Sequence, residues 1–383
     1  MSIYLDSSAT AGYKEIDNII INVMTNAMKQ FWQNPSSLYA TDVKKEIDKC
    51  RANMAEFIGA KSNEIIFTSS ASESNNAAIR GWDDEIWLNT YKTPNIITTQ
   101  IEHKSILKLL DEGNLGAVVG YCDVDEFGFV NYESLENMLI IRKGEPILVS
   151  VGFANSEIGT IQDIKRISGL VHKYGGVLHV DATQAFSKIP IDVNDLGIDM
   201  MSVSGHKISP VLKGVGFLYK KECVNIQPLI YGAQENGIRG GTENTFGIIG
   251  LSEALKYCDV SQKKIDETGK KRNYFLELLE NKFDCELNGD SYCRLPNNIN
   301  VTFPQNITGE ALLYVLDTSG VQISTGSACN SKEIQPSYVL KAIGLSDEDA
   351  MKTIRITFSD DITYEEIHKV IEEIDKAIKV IEI

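Results

Sequence analysis

Short apolar and β-branched runs recur through the first two thirds of the chain, separated by stretches with helical spacing. The strand-like runs are Glu64–Thr68, Asn95–Thr99, Ala117–Tyr121, Pro146–Val151, Val177–Asp181, Met200–Ser204 and Gly216–Tyr219. Between several of them the apolar residues fall at helical intervals, as in Ile161–Tyr174. Alternation of this kind predicts an α/β fold: a mostly parallel sheet of these seven strands, with helices on both faces. In such sheets ligands sit beyond the carboxyl ends of the strands.

After about residue 250 the pattern changes. Helical stretches dominate, with one strand-like segment at Asn298–Phe303. The chain closes on an amphipathic helix in which Ile367, Val370, Ile371, Ile374, Ala377, Ile378 and Ile381 share one face. We therefore expect residues 13–250 to form a large domain. Residues 251–383, with residues 1–12, are expected to form a smaller α+β domain.

Composition narrows the function classes. The 383 residues are 43% hydrophobic and 23% charged, ordinary for a globular protein and enough for a large core. The net charge of −16 repels polyanions, so general binding to nucleic acid or to anionic membranes is disfavoured. The opening residues lack the pattern of a secretory signal, and no apolar run is long enough to span a bilayer. Seven scattered cysteines without metal-type spacing read as reduced thiols, and a cytoplasmic location is the expectation.

Several stretches carry candidate chemistry. Ser204-Gly205-His206-Lys207 follows a strand. It sets a lysine in a tight turn beside a hydroxyl and an imidazole, where a desolvated amine can hold an aldehyde as a Schiff base. A surface turn with an ordinary lysine would read the same way. Asp181, at the end of the strand Val177–Asp181, suits a metal, a helix cap or a cationic ring nitrogen, and Gln184 lies three residues further on. The run Phe67–Asn76 leaves a strand and enters a helix. There Ala71 and Ser72 are placed to hold a phosphate, or Ser70 or Ser72 simply caps the helix. His103 follows the strand Asn95–Thr99 and suits stacking and proton shuttling, or is an exposed residue at a helix start. Cys329 lies in a run of small residues that reads as a loop, the setting of a nucleophilic thiol. The other cysteines, at 50, 122, 223, 258, 285 and 293, read as structural. Arg355, within an apolar alternation, suits either a two-point grip on a carboxylate or an ion pair between elements.

Taken together, these stretches resemble the NifS/IscS-type cysteine desulfurases, in the class V aminotransferase group of fold-type I pyridoxal phosphate enzymes. The likeness runs in order from Tyr4–Thr10 and Asn34–Ser37, through Glu102-His103, Asn155–Gly159, His179–Gln184 and Ser204–Lys207. It continues with Arg239–Asn244, Gly326–Cys329, Pro336–Leu340 and Ile354-Arg355. There are departures: Ala11-Gly12 stands for Thr-Pro, Leu38-Tyr39 lacks a usual histidine, and the stretch after Lys207 is one residue longer.

The resemblance implies pyridoxal 5'-phosphate as cofactor, bound to Lys207, with His103 stacked on its ring and Asp181 at the ring nitrogen. Gln184 and Asn155 would contact ring substituents or the substrate. Ala71, Ser72, Ser204 and His206 would bind the phosphate, and Thr242 would reach the phosphate of a second subunit, making a homodimer. Arg355 would hold the carboxylate of L-cysteine. Lys207 would take the α-proton, Cys329 would accept sulfur as a persulfide, and alanine would leave. The sulfur would pass to an acceptor protein, an iron–sulfur cluster scaffold or a tRNA-thiolating enzyme. A related class V aminotransferase or selenocysteine lyase is the alternative, and a non-enzymatic scaffold a further one. An aminotransferase has no need of a loop thiol.

Overall fold

The computed structural model describes residues 2–325 and 335–381. Its strands are β1 (Ile3–Tyr4), β2 (Ile65–Thr68), β3 (Asn95–Thr99), β4 (Val118–Cys122), β5 (Ile147–Gly152) and β6 (Val177–Asp181). They continue with β7 (Met200–Ser204), β8 (Gly216–Lys220), β9 (Glu286–Leu287), β10 (Asn298–Thr302), β11 (Val321–Gln322) and β12 (Thr353–Thr357). The helices of the first part are α1 (Glu15–Gln30), α2 (Thr41–Phe57), α3 (Ala71–Thr90), α4 (Lys104–Glu112), α5 (Tyr132–Ile141), α6 (Ile164–Lys173) and α7 (Thr245–Leu255). Those of the second part are α8 (Gln262–Phe283), α9 (Gly309–Thr318), α10 (Tyr338–Ala342), α11 (Asp347–Met351) and α12 (Tyr364–Ile381).

The seven expected strands form one sheet in the order β2-β8-β7-β6-β5-β3-β4, each within a residue or so of its predicted bounds. Strand β8 alone runs antiparallel to its neighbours β2 and β7, while the β3–β7 pairings are parallel. The carboxyl ends of β2 through β7 therefore share one edge. Side chains alternate between the two faces, as a two-residue period requires. Ile147 and Val149 enter one core with Ile97, Phe67 and Met201. Leu148 enters the opposite core with Ile96, Ile66 and Met200. Helices α1, α2 and α7 cover the first face, and α3 covers the second by packing on β6, β7 and β8. Both faces are thus buried, which is why these strands read as nearly unbroken apolar runs.

A second core forms around Phe275, Leu279, Phe303, Ile356 and Phe358. It contains a three-stranded antiparallel sheet, β12-β10-β9, and the predicted face of α12. Of that face, Ile367, Val370, Ile371, Ile374, Ala377 and Ile378 are buried and Ile381 packs at its margin. Each fully buried aliphatic side chain contributes roughly 1.5–3 kcal/mol. The sequence pattern foresaw β10 but not β9 or the β1–β11 pair, which are two residues each and too short to carry periodicity. The N-terminal segment belongs here: Ile3 and Leu5 enter the second core, and Asp6 bridges to Thr357.

Candidate active site

Three strand ends on the shared edge deliver the principal side chains. Asp181 closes β6, at the level of Gly152 on β5 and Ser202 on β7. Lys207 follows β7 after the single helical turn Gly205–Lys207. His103 follows β3 and is the N-cap of α4, its ring nitrogen accepting from the Ser105 N–H. The alternative of an exposed residue at a helix start is therefore present as local structure, and the same residue also feels the charges of Asp181 and Lys207.

Lys207 Nζ donates to two carbonyls, that of Ser8 and, at 2.7 Å, that of Ala9. Burial lowers its pKa to about 8, aided by Arg355 and opposed by Asp6 and Asp181. An amine so placed is partly unprotonated near neutrality, the condition for bonding to an aldehyde. Asp181 is 8% exposed. Its Oδ2 accepts from Asn75 Nδ2 at 2.8 Å and its Oδ1 from the Thr183 N–H at 3.0 Å. His206 is held down to about 4 by burial and by Lys207, Lys213 and His103, so it is neutral, with Nδ1 2.8 Å from Ser204 Oγ.

The β2–α3 turn supplies the anion cradle. Ser70 is the N-cap of α3, its Oγ accepting from the Glu73 N–H at 3.3 Å. Ala71 is buried and Ser72 is exposed. A Cβ on Gly216 would come 3.1 Å from Ser70 Cα and 2.5 Å from the Val203 carbonyl. Only glycine lets β8 lie this close to the turn. Glu73 braces the turn: it accepts from the Ser69 N–H at 2.8 Å and from Arg239 Nε at 2.8 Å. Burial raises Glu73, but the Arg239 and Ser69 bonds outweigh it and hold the carboxyl ionised. Thr242, three residues beyond Arg239, is exposed.

The remaining predicted residues sit in tight local networks. Gln184 Nε2 donates to the Ser8 carbonyl at 3.0 Å, and its Oε1 lies 3.3 Å from Lys188 Nζ. Asn155 spends both ends on the protein, donating to the Ile101 carbonyl at 3.0 Å and accepting from the Glu157 and Ile158 N–H groups. Arg355 pairs with Asp6 at 2.6 Å and donates to the Ser156 carbonyl at 3.2 Å, while its Nε is buried with no hydrogen-bond partner among the described residues. The ion-pair alternative for Arg355 is thus present, with one donor left over. Cys329 lies outside the described residues. Among the other thiols Cys50, Cys122 and Cys285 are buried, but Cys223 and Cys293 are exposed, so the expectation that all six are structural fails for those two. They sit in short connecting turns, where the sequence offers no periodicity from which to judge burial.

Sequence reasoning missed four residues. Asn75, Glu102 and Glu157 are buried around the site and Lys188 is half-buried beside it, and only their tertiary neighbours distinguish them. Burial pushes Glu102 up to about 8, with Asp181 adding to it against the Thr99 and Gly152 hydrogen bonds. Burial pushes Glu157 up to about 7 against Ser337, Arg355 and Lys104. Burial and Lys207 bring Lys188 down to about 7. Lys207 also borders a cavity of about 140 Å³ walled by Lys14, Lys188, Lys264 and Asp360, in which neither Asp181 nor His103 takes part.

A lysine of lowered pKa, a carboxylate, an imidazole and an amide-rich turn on the open edge of a parallel sheet define a fold-type I pyridoxal phosphate enzyme. The residues fit that cofactor on the structure's own terms. Asn75 Oδ1 and Thr183 Oγ1 are buried beside Asp181 with no hydrogen-bond partner among the described residues, and α3 begins at the Ser70 turn, where the first amides of a helix favour an anion. Residues 3–370 match the class V aminotransferase family, and the chain belongs to that family.

The cysteine desulfurase IscS of Dictyoglomus turgidum is 39% identical over 98% of this chain and 94% of its own. A solved NifS-like protein superposes with a TM-score of 0.88 at 31% identity, covering 99% of this chain and 100% of its own. The structure of SspA in complex with cysteine gives 0.79 at 32% identity, covering 93% and 99%.

Proposed function

We propose that this protein is a cysteine desulfurase that converts L-cysteine to L-alanine and keeps the sulfur as a persulfide on Cys329. The observation that carries the reading is Lys207: a half-buried amine whose pKa is lowered to about 8, on the same sheet edge as Asp181 and His103. The names of relatives such as the Dictyoglomus turgidum enzyme support the substrate, as does the cysteine bound to SspA.

Lys207 Nζ would hold the cofactor's aldehyde, Asp181 its ring nitrogen and His103 its ring face. Ala71, Ser72, Ser204 and His206 would hold its phosphate, with Gln184 and Asn155 at the ring substituents or the substrate. When bound, the cofactor supplies an electron sink for negative charge developing at the substrate's α-carbon. Asp181 contributes a carboxylate whose two oxygens are already oriented by Asn75 and Thr183. Arg355 binds the substrate carboxylate, and its unpartnered Nε marks capacity for a further acceptor. Lys207 Nζ takes the α-proton. The Cys329 thiolate attacks the substrate sulfur; the new S–S bond forms as the Cβ–S bond breaks, Cβ gains a proton from solvent to become the methyl of alanine, and Lys207 Nζ returns the α-proton to Cα.

The finer points belong to the same proposal. Residues 13–250 form the cofactor-binding domain. Residues 1–12 and 251–383 form the small domain, supported by the second core and by Ile3 and Leu5 in it, although Leu251, Ala254 and Leu255 at the end of α7 pack in the first core. The active unit is a homodimer, with Thr242 reaching the partner's phosphate. Exposed Trp32, Leu38, Tyr39 and Tyr231 offer the apolar surface a second copy would cover. Sedimentation should give about twice the 42.5 kDa chain mass. The persulfide passes to an acceptor protein of iron–sulfur or thio-cofactor synthesis. The setting is cytoplasmic, in keeping with the absence, among the described residues, of any helix long and apolar enough to cross a membrane.

The deciding experiment supplies cysteine to the cofactor-loaded protein and measures alanine and protein persulfide, beside Cys329→Ala. Alanine with persulfide, both lost in the variant, supports the reading. Equal turnover in the variant points instead to a selenocysteine lyase or an aminotransferase.

A further inference from the structure

One hydrogen-bonded chain runs from Asp181 to His103 through Asn75 and Ser105, neither of which the sequence marked as a candidate. Asn75, on the first turn of α3, is fully buried. Its Nδ2 lies 2.8 Å from Asp181 Oδ2 and 2.9 Å from Ser105 Oγ. Ser105 Oγ in turn lies 2.8 Å from His103 Nδ1, and the Ser105 N–H meets the same nitrogen at 3.1 Å.

The direction of every bond in this chain follows from donor and acceptor rules. The Asn75 amide cannot be reversed, because that would set its oxygen against a carboxylate. Its two hydrogens therefore go to Asp181 and to Ser105. Ser105 Oγ accepts from Asn75, so its own hydrogen is free for His103. A backbone N–H can only donate, so His103 Nδ1 receives two donors and carries no proton.

We propose that Asn75 and Ser105 are positioning residues that lock His103 as a neutral imidazole with its proton on Nε2. The ring then serves the site as a stacking plate and a hydrogen-bond donor, not as a base. Nε2 is already protonated, and a proton added at Nδ1 would oppose the Ser105 N–H and undo the cap of α4. Proton movement at the substrate is left to Lys207.

The charged surroundings agree. His103 is exposed at the surface, yet the surrounding protein desolvates its ring and holds it below its ordinary value. Lys207, beyond the end of β7, and Lys104, on its own helix, act in the same direction, while Asp181 on β6 opposes them. His206, in the turn after β7, also faces it and is itself neutral. The proposal rests on the reading of His103 as the ring-stacking residue, but not on the identity of the substrate.

The test is nitrogen-15 NMR of the full chain labelled at histidine, with and without pyridoxal phosphate, His103 being assigned by its loss in His103→Gln. Nδ1 should resonate as a bare, pyridine-type nitrogen and Nε2 as a protonated one across the neutral range. Ser105→Ala removes one donor to Nδ1, so the His103 titration should move up by about half a unit to one unit. Ser105→Thr should restore it. Asn75→Ala should move it the same way by less. A merely structural serine would leave the titration of a neighbouring ring where it was. A proton found on Nδ1, or a midpoint unmoved in Ser105→Ala, overturns the proposal. Neither result bears on alanine or persulfide formation, so the two readings fail separately.

Discussion

The parallel-sheet edge and the second core each bring one cation to the site, and they treat it in opposite ways. Lys207, past the end of β7, meets the carbonyls of Ser8 and Ala9 and is driven down to about 8. Arg355, in the middle of β12, is more deeply buried but sits 2.6 Å from Asp6. The same four-residue stretch, Asp6 to Ala9, serves both: its carboxylate pairs directly with Arg355, while Lys207 meets two carbonyls and feels the Asp6 charge only as a partial opposition to burial. The lysine thereby stays able to lose its proton, while the arginine stays charged and helps push that proton off. Two like charges that would destabilise a surface become useful when only one of them is neutralised locally.

The sharpest way to break this contrast is to delete the lysine. Lys207→Ala should lower cysteine turnover by at least about a thousandfold. It should also abolish the borohydride-fixable attachment of the cofactor. Turnover within tenfold of the native rate would sink the assignment of Nζ.

Removing the other cation should do less, and differently. Arg355→Ala should raise KM for cysteine about ten- to a hundredfold, the worth of a hydrogen bond to a charged group at about 1.5–3 kcal/mol. Because Arg355 lowers Lys207, the lysine should become more basic in this variant. The pH midpoint for cofactor uptake should move upward; a midpoint that stays put would show that burial alone tunes the amine.

In the native chain the uptake rate itself should rise through pH about 8, falling roughly tenfold per unit below it, because only the neutral amine bonds the aldehyde. Stopped-flow mixing of cofactor-free protein with pyridoxal phosphate reads this from the visible band. A midpoint near the ordinary lysine value of 10.5 would contradict the burial argument.

The second core can be weakened without touching the sheet edge. Ile374→Ala, at a fully buried position of α12, should cost about 2–5 kcal/mol in denaturant unfolding. The uptake midpoint should not change. A shifted midpoint would mean that the second core tunes the lysine as well as carrying Arg355.

The smallest effect concerns Asp360, which joins Lys14 of the first part to Lys264 of α8. Burial raises this carboxyl, but the two lysines outweigh it and bring it down from 3.8 to about 2. Its contribution is complete above 3.8 and is lost as the pH falls through about 2. Asp360→Asn should therefore lower the melting point at neutral pH by a few degrees at most and leave the pH 2 melt unchanged.

Much of the sheet was legible in the chain. Strands buried on both faces must be apolar almost throughout, so β3, β5, β6 and β7 stood out, and the polar residues at their ends marked the edge. The same logic located Lys207, Asp181 and His103. It could not locate Asn75, which looks like any polar residue in the first turn of a helix. Nor could it separate Lys188 and Glu102 from solvated charges, since neither periodicity nor spacing reports burial of a single side chain. The two-residue strands β1, β9 and β11 escaped because pairing, not pattern, makes them strands.

Local order in the chain thus specified which segments extend, which coil, and which chemical groups stand at the junctions. Contacts between distant segments decided how those groups behave. Asp6 reaches Arg355 across 349 positions of sequence, and Asn75 reaches Asp181 across 106. The acidity of a side chain depends on the dielectric and the charges within a few ångströms, and only the folded chain brings those together.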